Sequence, residues 1–232
     1  MTPVVYLIPS VLDEMATNTI PHYIIDAVKD CQVIFAENER SARRFLKSIC
    51  KDIVIDHYEW FTIHKAEEEQ KNNFTQKIKE HKNIAIISEA GCPGIADPGQ
   101  MLIELAQQMN VTVKPLVGPS SILLALMASG MNGQQFEFVG YLPIDNFERI
   151  KAIKEFELSS QKKSSSIIFI ETPYRNNQLI ETLLKTCKPT TKICIAAELT
   201  GPNEYVKTKT VANWKNEKTD FHKKPVIFLL QV

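Results

Sequence analysis

Short apolar runs alternate with amphipathic stretches through the first half of the chain. Each run has the length of a buried strand, and polar or turn residues bound it. The pattern predicts strands at residues 4–8, 33–36, 53–56, 84–87 and 111–117, and helices at residues 21–30, 41–48 and after Pro98. Because strands and helices alternate, the sequence predicts an α/β domain built on a mostly parallel, doubly wound sheet.

The second half of the chain breaks this regular alternation. Helices are predicted at residues 120–129, 146–158 and 176–186, a polar loop at 159–166, and strands at 136–140, 167–170, 192–197, 205–211 and 225–230. The strand at 205–211 alternates apolar and polar residues, which is typical of a half-exposed antiparallel strand. The nearly continuous apolar run at 225–230 is expected to close the sheet. The sequence therefore predicts a second domain with a mixed sheet, and places the two domains at residues 1–117 and 118–232.

Composition and charge limit the classes of partner. Of the 232 residues, 27 are basic and 27 acidic, so the formal net charge is zero, whereas binding nucleic acid by overall charge predicts a basic excess. There is no signal-peptide pattern and no apolar run of about 18 residues, so we expect a cytoplasmic protein without a membrane span. His57 and His64 have no acidic or cysteine partner at metal-ligand spacing, so no metal site is predicted.

Two local patterns leave alternatives open. Three glycines and two prolines fall between Gly91 and Gly99, directly after a predicted strand, which is compatible with a stiff ligand-binding loop or with an ordinary tight connection. Aromatic residues cluster at Tyr58, Trp60 and Phe61. These side chains could stack on bases, or they could pack in a core or an interface.

The glycine-rich segment carries a family resemblance. Its sequence A-G-C-P-G-I-A-D-P-G is similar to the A-G-T-P-x-I-S-D-P-G segment of the tetrapyrrole methylase superfamily. Four further segments agree in the same order: G-P-S-S at 118–121, F-E-F-V-G-Y-L-P at 136–143, E-T-P-Y-R at 171–175 and A-E-L-T at 197–200. Ordered agreement over nearly the whole chain is more specific than any one motif. The closest resemblance is to the branch that methylates a ribose 2′-hydroxyl of 16S ribosomal RNA.

The resemblance implies a homodimer that binds S-adenosylmethionine between its two domains. Carried over residue by residue, the cofactor-binding positions are Pro9, Cys92, Ile95, Ala96, Ser120, Ser121, Thr172 and Pro173. Cys92 stands where the family usually has threonine, so contact through its backbone is expected there. The acceptor that the resemblance implies is ribosomal RNA or the small ribosomal subunit.

Methyl transfer to a hydroxyl needs alignment of the reacting atoms and gains from a general base. Asp97 and Glu171 are the catalytic candidates chosen by position, from a wider set that includes Glu37, Glu89 and Glu198. The structural alternative for Asp97 is a cap for the helix that begins after Pro98. Arg40 is a candidate for binding a phosphate or a carboxylate, and Arg175 is a candidate for binding substrate phosphate. Their alternatives are an ordinary helix start and a surface salt bridge.

The departures from the family pattern concern the substrate more than the cofactor. The family's T-P-I-G-N loop reads P-S-V-L-D-E here, and Tyr174 replaces the histidine of E-S-P-H-R. Three functions follow: an RNA ribose methyltransferase, a methyltransferase of a small acceptor, or a binding module that has lost catalysis. The five retained segments favour the first, whereas the neutral charge and the altered first loop favour the second or third.

Overall fold

The structure of the protein, a computed structural model, describes residues 2–63 and 67–232. The chain divides into two compact units, Met1–Ser120 and Ser121–Val232. His64, one of the two histidines considered for a metal site, lies outside the described residues. In the described part of the chain, no helix is both long and apolar enough to cross a membrane.

The first unit contains a five-stranded, fully parallel sheet. Its strands are β1 (Val4–Ile8), β2 (Val33–Ala36), β3 (Glu59–Thr62), β4 (Ile84–Ile87) and β5 (Thr112–Pro115), and their order in the sheet is β3-β2-β4-β1-β5. Its helices are α1 (Tyr23–Lys29), α2 (Glu39–Ile49), α3 (Glu67–Lys79) and α4 (Gln100–Gln108). The prediction of a mostly parallel sheet is therefore confirmed.

Two hydrophobic clusters cover the two faces of this sheet. One contains α1 and α2 residues such as Ile24 and Leu46, which pack with Ile8 and Ile34 of the strands. The other contains Phe74 of α3 and Leu102 of α4. Because α1 and α2 cover one face while α3 and α4 cover the other, the connections leaving β1 and β4 go to opposite faces. The carboxyl ends of these two neighbouring strands therefore form a topological switch point, the usual ligand site of open α/β sheets.

The second unit contains a mixed sheet flanked by helices. Its strands are β6 (Phe136–Tyr141), β7 (Ser166–Ile170), β8 (Lys192–Ala197), β9 (Tyr205–Thr210) and β10 (Val226–Gln231), in the order β6-β7-β10-β8-β9. Its helices are α5 (Ser121–Ser129), α6 (Asn146–Lys163), α7 (Asn176–Thr186) and α8 (Val211–Trp214). β9 pairs antiparallel with β8, as its alternating pattern predicted. β10 lies in the middle of the sheet, antiparallel to both β7 and β8, which explains its apolar run.

Two predicted elements are wrong. Residues 53–56 form no strand: Ile53 is buried, a short 3-10 helix spans Ile55–His57, and β3 occupies the sheet position instead. β3 takes that position because Phe61 stacks on Phe35 of β2, with ring centroids 4.7 Å apart.

Most of the predicted polar loop at 159–166 belongs to α6. Its serines looked solvent-facing in sequence, but Ser160 is fully buried and donates a hydrogen bond to the Ser165 carbonyl at 2.7 Å.

Candidate functional site

The carboxyl ends of β1 and β4 are tied together by a short two-residue bridge. The Ser10 N–H donates to the Gly91 carbonyl at 2.8 Å, and the Gly91 N–H donates to the Ser10 carbonyl at 3.2 Å. The buried Ser10 hydroxyl donates to the Ser88 carbonyl, and the Ser88 hydroxyl donates to the Gly91 carbonyl. The sequence alone assigned no role to these two serines, although Ser88 directly follows β4 and Ser10 follows Pro9 at the end of β1. They fix the switch point of the sheet.

The glycine-rich loop after β4 is held in shape by Asp97. One carboxylate oxygen of Asp97 accepts hydrogen bonds from the N–H groups of Gly94 and Gly99, both at 2.8 Å. Gly94 and Ala96 have φ values of 79° and 59°, in the left-handed region. The loop is thus a preformed turn, and it exposes the Ile95 side chain to 56%. Asp97 thus stabilises the loop rather than capping α4, whose N-cap residue is Gly99 and has no side-chain cap.

The loop after β5 packs closely on both neighbouring loops. A Cβ atom built on Gly118 would lie 2.2 Å from the Cβ of Pro9, so only glycine fits beside this buried proline. The Cys92 sulfur lies 3.5 Å from the Pro119 carbonyl oxygen. Burial, and secondarily the charge of Asp97, raises the pKa of the Cys92 thiol. Three predicted cofactor-binding segments of the first unit, those of Pro9, Cys92 and Ser120, therefore meet at one edge.

The start of α2 is fastened to the same edge. The Asn38 side chain caps the helix by accepting from the Ser41 N–H, and Glu89 accepts from both Asn38 and Ser41 side chains. The Glu89 N–H donates to a carboxylate oxygen of Glu37 at 2.8 Å. Arg40 lies in the first turn of α2, is exposed, and forms no ion pair with any described residue.

In the second unit, Glu171 organises the turn that follows β7. Its side chain is 1% exposed, and one carboxylate oxygen accepts from the Thr172 N–H at 2.6 Å and from the Arg175 guanidinium at 2.6 and 3.0 Å. Arg175 also donates to the Thr172 hydroxyl. The four predicted residues Glu171, Thr172, Pro173 and Arg175 thus form one turn, in which Arg175 is engaged by a buried acid rather than free in solvent.

The loop after β8 lies at the same edge of the second unit, since β7 and β8 both run antiparallel to β10. Glu198 and Thr200 have φ values of 51° and 68°. For the β-branched Thr200 this is a strained conformation. Lys224 forms an ion pair with Glu198.

Ser120 and Ser121 are half-buried, and Ser121 begins α5. The N–H groups at the N-terminus of α5 therefore have no intrahelical acceptor.

The aromatic cluster of the first unit is used for packing. Phe61 stacks on Phe35, the Trp60 indole N–H donates to the Ile55 carbonyl, and the Arg43 guanidinium lies 4.8 Å from the centre of the Trp60 ring. Across residues 2–63 and 67–232, no group of three His, Cys, Asp or Glu side chains is arranged to hold a metal ion.

Solved structures share this fold. The methyltransferase CobJ covers 100% of the chain with a TM-score of 0.65 and 14% sequence identity. A uroporphyrin-III C-methyltransferase from Thermus thermophilus, complexed with S-adenosyl homocysteine, covers 99% of the chain with a TM-score of 0.57 and 14% identity. The chain covers 94% and 97% of these two structures. At such identities the likeness establishes the fold.

The fold and the sequence together define an S-adenosylmethionine-dependent methyltransferase. More particularly, the chain belongs to the tetrapyrrole (corrin/porphyrin) methylase family, whose sequence profile matches residues 20–214. Curated relatives include the ribosomal RNA small subunit methyltransferases I of Buchnera aphidicola subsp. Schizaphis graminum and of Vibrio cholerae. The first is 27% identical over 99% of this chain and 78% of its own length, and the second is 29% identical over 90% and 69%.

The edge of the first unit has the chemistry that S-adenosylmethionine requires. Ile95 and Val117 are 56% and 69% exposed, so the loops after β4 and β5 both present apolar side chains that an adenosyl or thioether group could cover. The backbone around them is held rigidly by Asp97 and by the contact of Gly118 with Pro9. The residues present therefore fit the cofactor.

Proposed function

We propose that this enzyme methylates a ribose 2′-hydroxyl of small-subunit ribosomal RNA. The observation that carries the proposal is the match along 99% of the chain to a relative named ribosomal RNA small subunit methyltransferase I, of whose own length the match covers 78%. The first unit adds a rigid loop at the switch point of its sheet, which is where such a fold places a ligand.

The cofactor would contact Pro9, Cys92, Ile95, Ala96 and Ser120 in the first unit. Bound there, it supplies a methyl group already activated by its sulfonium. The chain's own task is then to align the acceptor oxygen and to exclude water. The stiffness of the loop after β4 serves alignment, since Gly94 and Gly99 are both held by one carboxylate oxygen. The contributions of Ser121, Thr172 and Pro173 in the second unit stay predictions.

Asp97 and Glu171 are better suited to positioning than to proton transfer. Each already accepts at least two hydrogen bonds through one carboxylate oxygen, Asp97 from backbone N–H groups and Glu171 from Thr172 and Arg175. A general base takes a proton from the acceptor hydroxyl, whereas these hydrogen bonds hold each carboxylate in the loop that it supports. We propose that both acids maintain the loops that would align the acceptor.

The test combines cofactor binding with methyl transfer. S-adenosylhomocysteine is titrated calorimetrically into the purified protein, and transfer of a labelled methyl group from S-adenosylmethionine to small ribosomal subunits is then measured. Ile95→Arg is expected to weaken binding at least tenfold, because it places a charge on the apolar part of the proposed site. Leu158→Arg, which changes a similarly exposed leucine on α6, is the matched control and should bind as the wild type does.

The outcomes separate the alternatives. Binding together with labelled ribose 2′-O-methyl groups in the ribosomal RNA supports the proposal. Binding without transfer to ribosomal subunits would instead point to a small acceptor. Absence of binding by a folded protein would contradict catalysis and leave a repurposed scaffold. The homodimer and the cytoplasmic location stay predictions, and sedimentation of the purified protein tests the first.

A further inference from the structure

A pocket of about 270 Å³ lies beside the switch point of the first unit. Three segments line it: the loop after β1, one side of α2, and the residues between β4 and the glycine-rich loop. Ser88, Glu89 and Ala90 line the pocket and directly precede Gly91 of that loop. The pocket and the proposed cofactor loop thus share the carboxyl end of β4, although none of the predicted cofactor-binding residues lines the pocket.

The lining of the pocket suits a neutral, hydroxyl-rich group. Ser41 and Glu89 form a hydrogen-bonded pair on one side, and Phe45 contributes an apolar surface. Glu14 and Glu89 place two carboxylates at the pocket, whereas Arg44 is its only cation among the lining residues that the structure describes. Carboxylates repel a phosphate and accept hydrogen bonds from hydroxyl and amino groups. A sugar or a base fits this lining better than a phosphate does.

A row of exposed cations runs along α2 at the rim of the same pocket. Arg40, Arg44 and Lys47 follow the spacing i, i+4 and i+7, so they lie on one face of the helix, and all three are exposed. From Arg40 to Lys47 the helix rises about 10 Å. We call these three residues the α2 basic row. Its spacing and exposure suit the phosphates of an extended strand.

The cations of the row are available for a ligand. Arg40 and Lys47 form no ion pair with any residue in ranges 2–63 and 67–232. The Lys47 ammonium donates one hydrogen bond, to the Lys51 carbonyl at 3.0 Å, which leaves two of its three N–H donors for a ligand. Arg44 pairs with Glu14 at 2.9 Å, but the two side chains are 64% and 78% exposed, and such surface pairs contribute little. Arg43, which lies between them, differs: it pairs with Glu39 and lies over Trp60.

Helix stability accounts for one end of the row only: Lys47 lies in the last turn of α2, where the helix dipole favours a cation. Arg40 lies in the first turn of α2, where the positive end of the helix dipole disfavours a cation. Of the three, only Arg40 is named from the sequence; α2 begins at Glu39, not at residue 41, and so brings Arg40 onto the helical face of Arg44 and Lys47. The row is a local basic feature in a chain of zero net charge.

We propose that single-stranded RNA binds along α2, with its phosphates on the α2 basic row and one nucleoside in the adjoining pocket. This proposal rests on the proposed function, since it names how that acceptor would reach the site. Phosphate contacts position the strand without reading its sequence, and the nucleoside that enters the pocket lies next to the loop proposed to hold the cofactor.

The first test measures how salt affects binding of a fluorescently labelled single-stranded oligouridine. The triple variant Arg40→Ala/Arg44→Ala/Lys47→Ala is compared with Lys151→Ala/Lys154→Ala/Lys162→Ala, which removes the same charge from exposed positions of α6. Each phosphate contact in a single strand contributes about 0.7 to the slope of log affinity against log salt, so the α2 variant should lower the slope by about 2. The α6 variant should keep it.

The second test asks where the nucleoside lies. An oligouridine containing 4-thiouridine is photo-crosslinked to the wild-type protein, and the modified peptides are mapped by mass spectrometry. Crosslinks in residues 10–14 or 41–48 support the pocket. Ser41→Trp, which fills the pocket, should also reduce methyl transfer to small ribosomal subunits at least tenfold and leave S-adenosylhomocysteine affinity unchanged. Gln107→Trp, exposed on α4, is the control.

Two results would overturn the proposal. One is an equal salt slope for the α2 and α6 variants, or no binding of the oligouridine by the folded wild type at low salt. The other is crosslinking confined to residues outside the pocket. Failure of the proposed function is a different result: the protein would then transfer no methyl group to ribosomal subunits, while the oligouridine experiments would still decide where a strand binds.

Discussion

The contact between Gly118 and Pro9 offers a direct test of the geometry at the carboxyl edge of the first unit. The Gly118→Ala substitution adds a single methyl group, whose carbon would lie 2.2 Å from the Cβ and 2.4 Å from the Cγ of Pro9. Carbon atoms in contact lie about 3.5 Å apart or more, so the loops after β1 and β5 must separate by roughly 1 Å. The proline ring has no flexible end that could move aside.

The expected cost follows from overpacking. Forcing an extra methyl group into a close-packed site costs about 1–3 kcal/mol. In a chain of this size, each 1 kcal/mol lowers the melting temperature by about 2–4 °C. We expect a lower melting temperature in thermal unfolding followed by circular dichroism. We also expect weaker S-adenosylhomocysteine binding in calorimetry, because Pro9 and the segment after Gly118 are proposed to border the cofactor.

Gly133→Ala is the matched control for this substitution. An added Cβ at Gly133 meets no atom within 4 Å, and Gly133 is exposed. It should change the free energy of unfolding by no more than about 0.5 kcal/mol. If Gly118→Ala melted and bound S-adenosylhomocysteine as the wild type does, the close contact of the two loops would be refuted, and with it the argument that this contact shapes the site.

Three further predictions concern single interactions. Because burial raises the pKa of the Cys92 thiol, iodoacetamide should alkylate Cys92 slowly at neutral pH and faster in alkali, and bound S-adenosylhomocysteine should slow the alkylation. Peptide mass spectrometry measures the extent of alkylation, with Cys92→Ser as the unreactive control. Arg175→Ala should cost about 3 kcal/mol in urea unfolding, since it leaves the Glu171 carboxylate buried and unpaired, and adding Glu171→Gln should recover most of the loss; no recovery would contradict the pairing. A hydrogen bond to Asp30, followed by burial, raises the pKa of Tyr6 to about 12. The wild type should therefore have a free energy of unfolding about 1 kcal/mol larger than that of Tyr6→Phe below about pH 10, and this difference should vanish as the pH rises to about 12. A difference in urea unfolding that stayed constant across that range would contradict the assignment.

The regular elements of the first unit were largely predictable because local pattern and final environment agree. β4 is a run of four apolar residues, and all four are buried between helices on both faces of the sheet. The glycine-rich loop was predictable for the same reason, since its breakers exclude any regular element. A short apolar run can be buried as a strand or as an irregular segment, and the pattern alone does not distinguish the two. Ile53 is buried as a strand residue would be, yet it lies outside the sheet.

The site was predictable as a set of segments but not as a set of roles. Asp97 and Glu171 were predicted from their positions along the sequence, but their hydrogen bonds to Gly94 and Gly99, and to Arg175, depend on how the chain folds back on itself. The parts played by Ser10 and Ser88 had no strong signal, because serine is common at strand ends. Arg44 and Lys47 could have been found from helical spacing once the helix was extended to begin at Glu39.

The sequence by itself determined the alternation of strands and helices, the stiff loop at residues 91–99 and the family. These depend on local preferences and on ordered motifs, and both are written along the chain. Only the tertiary structure decided the central position of β10, the close approach of Gly118 to Pro9 and the pocket beside α2. These features join residues distant in sequence, so their distances depend on how strands pair and helices pack rather than on any local pattern.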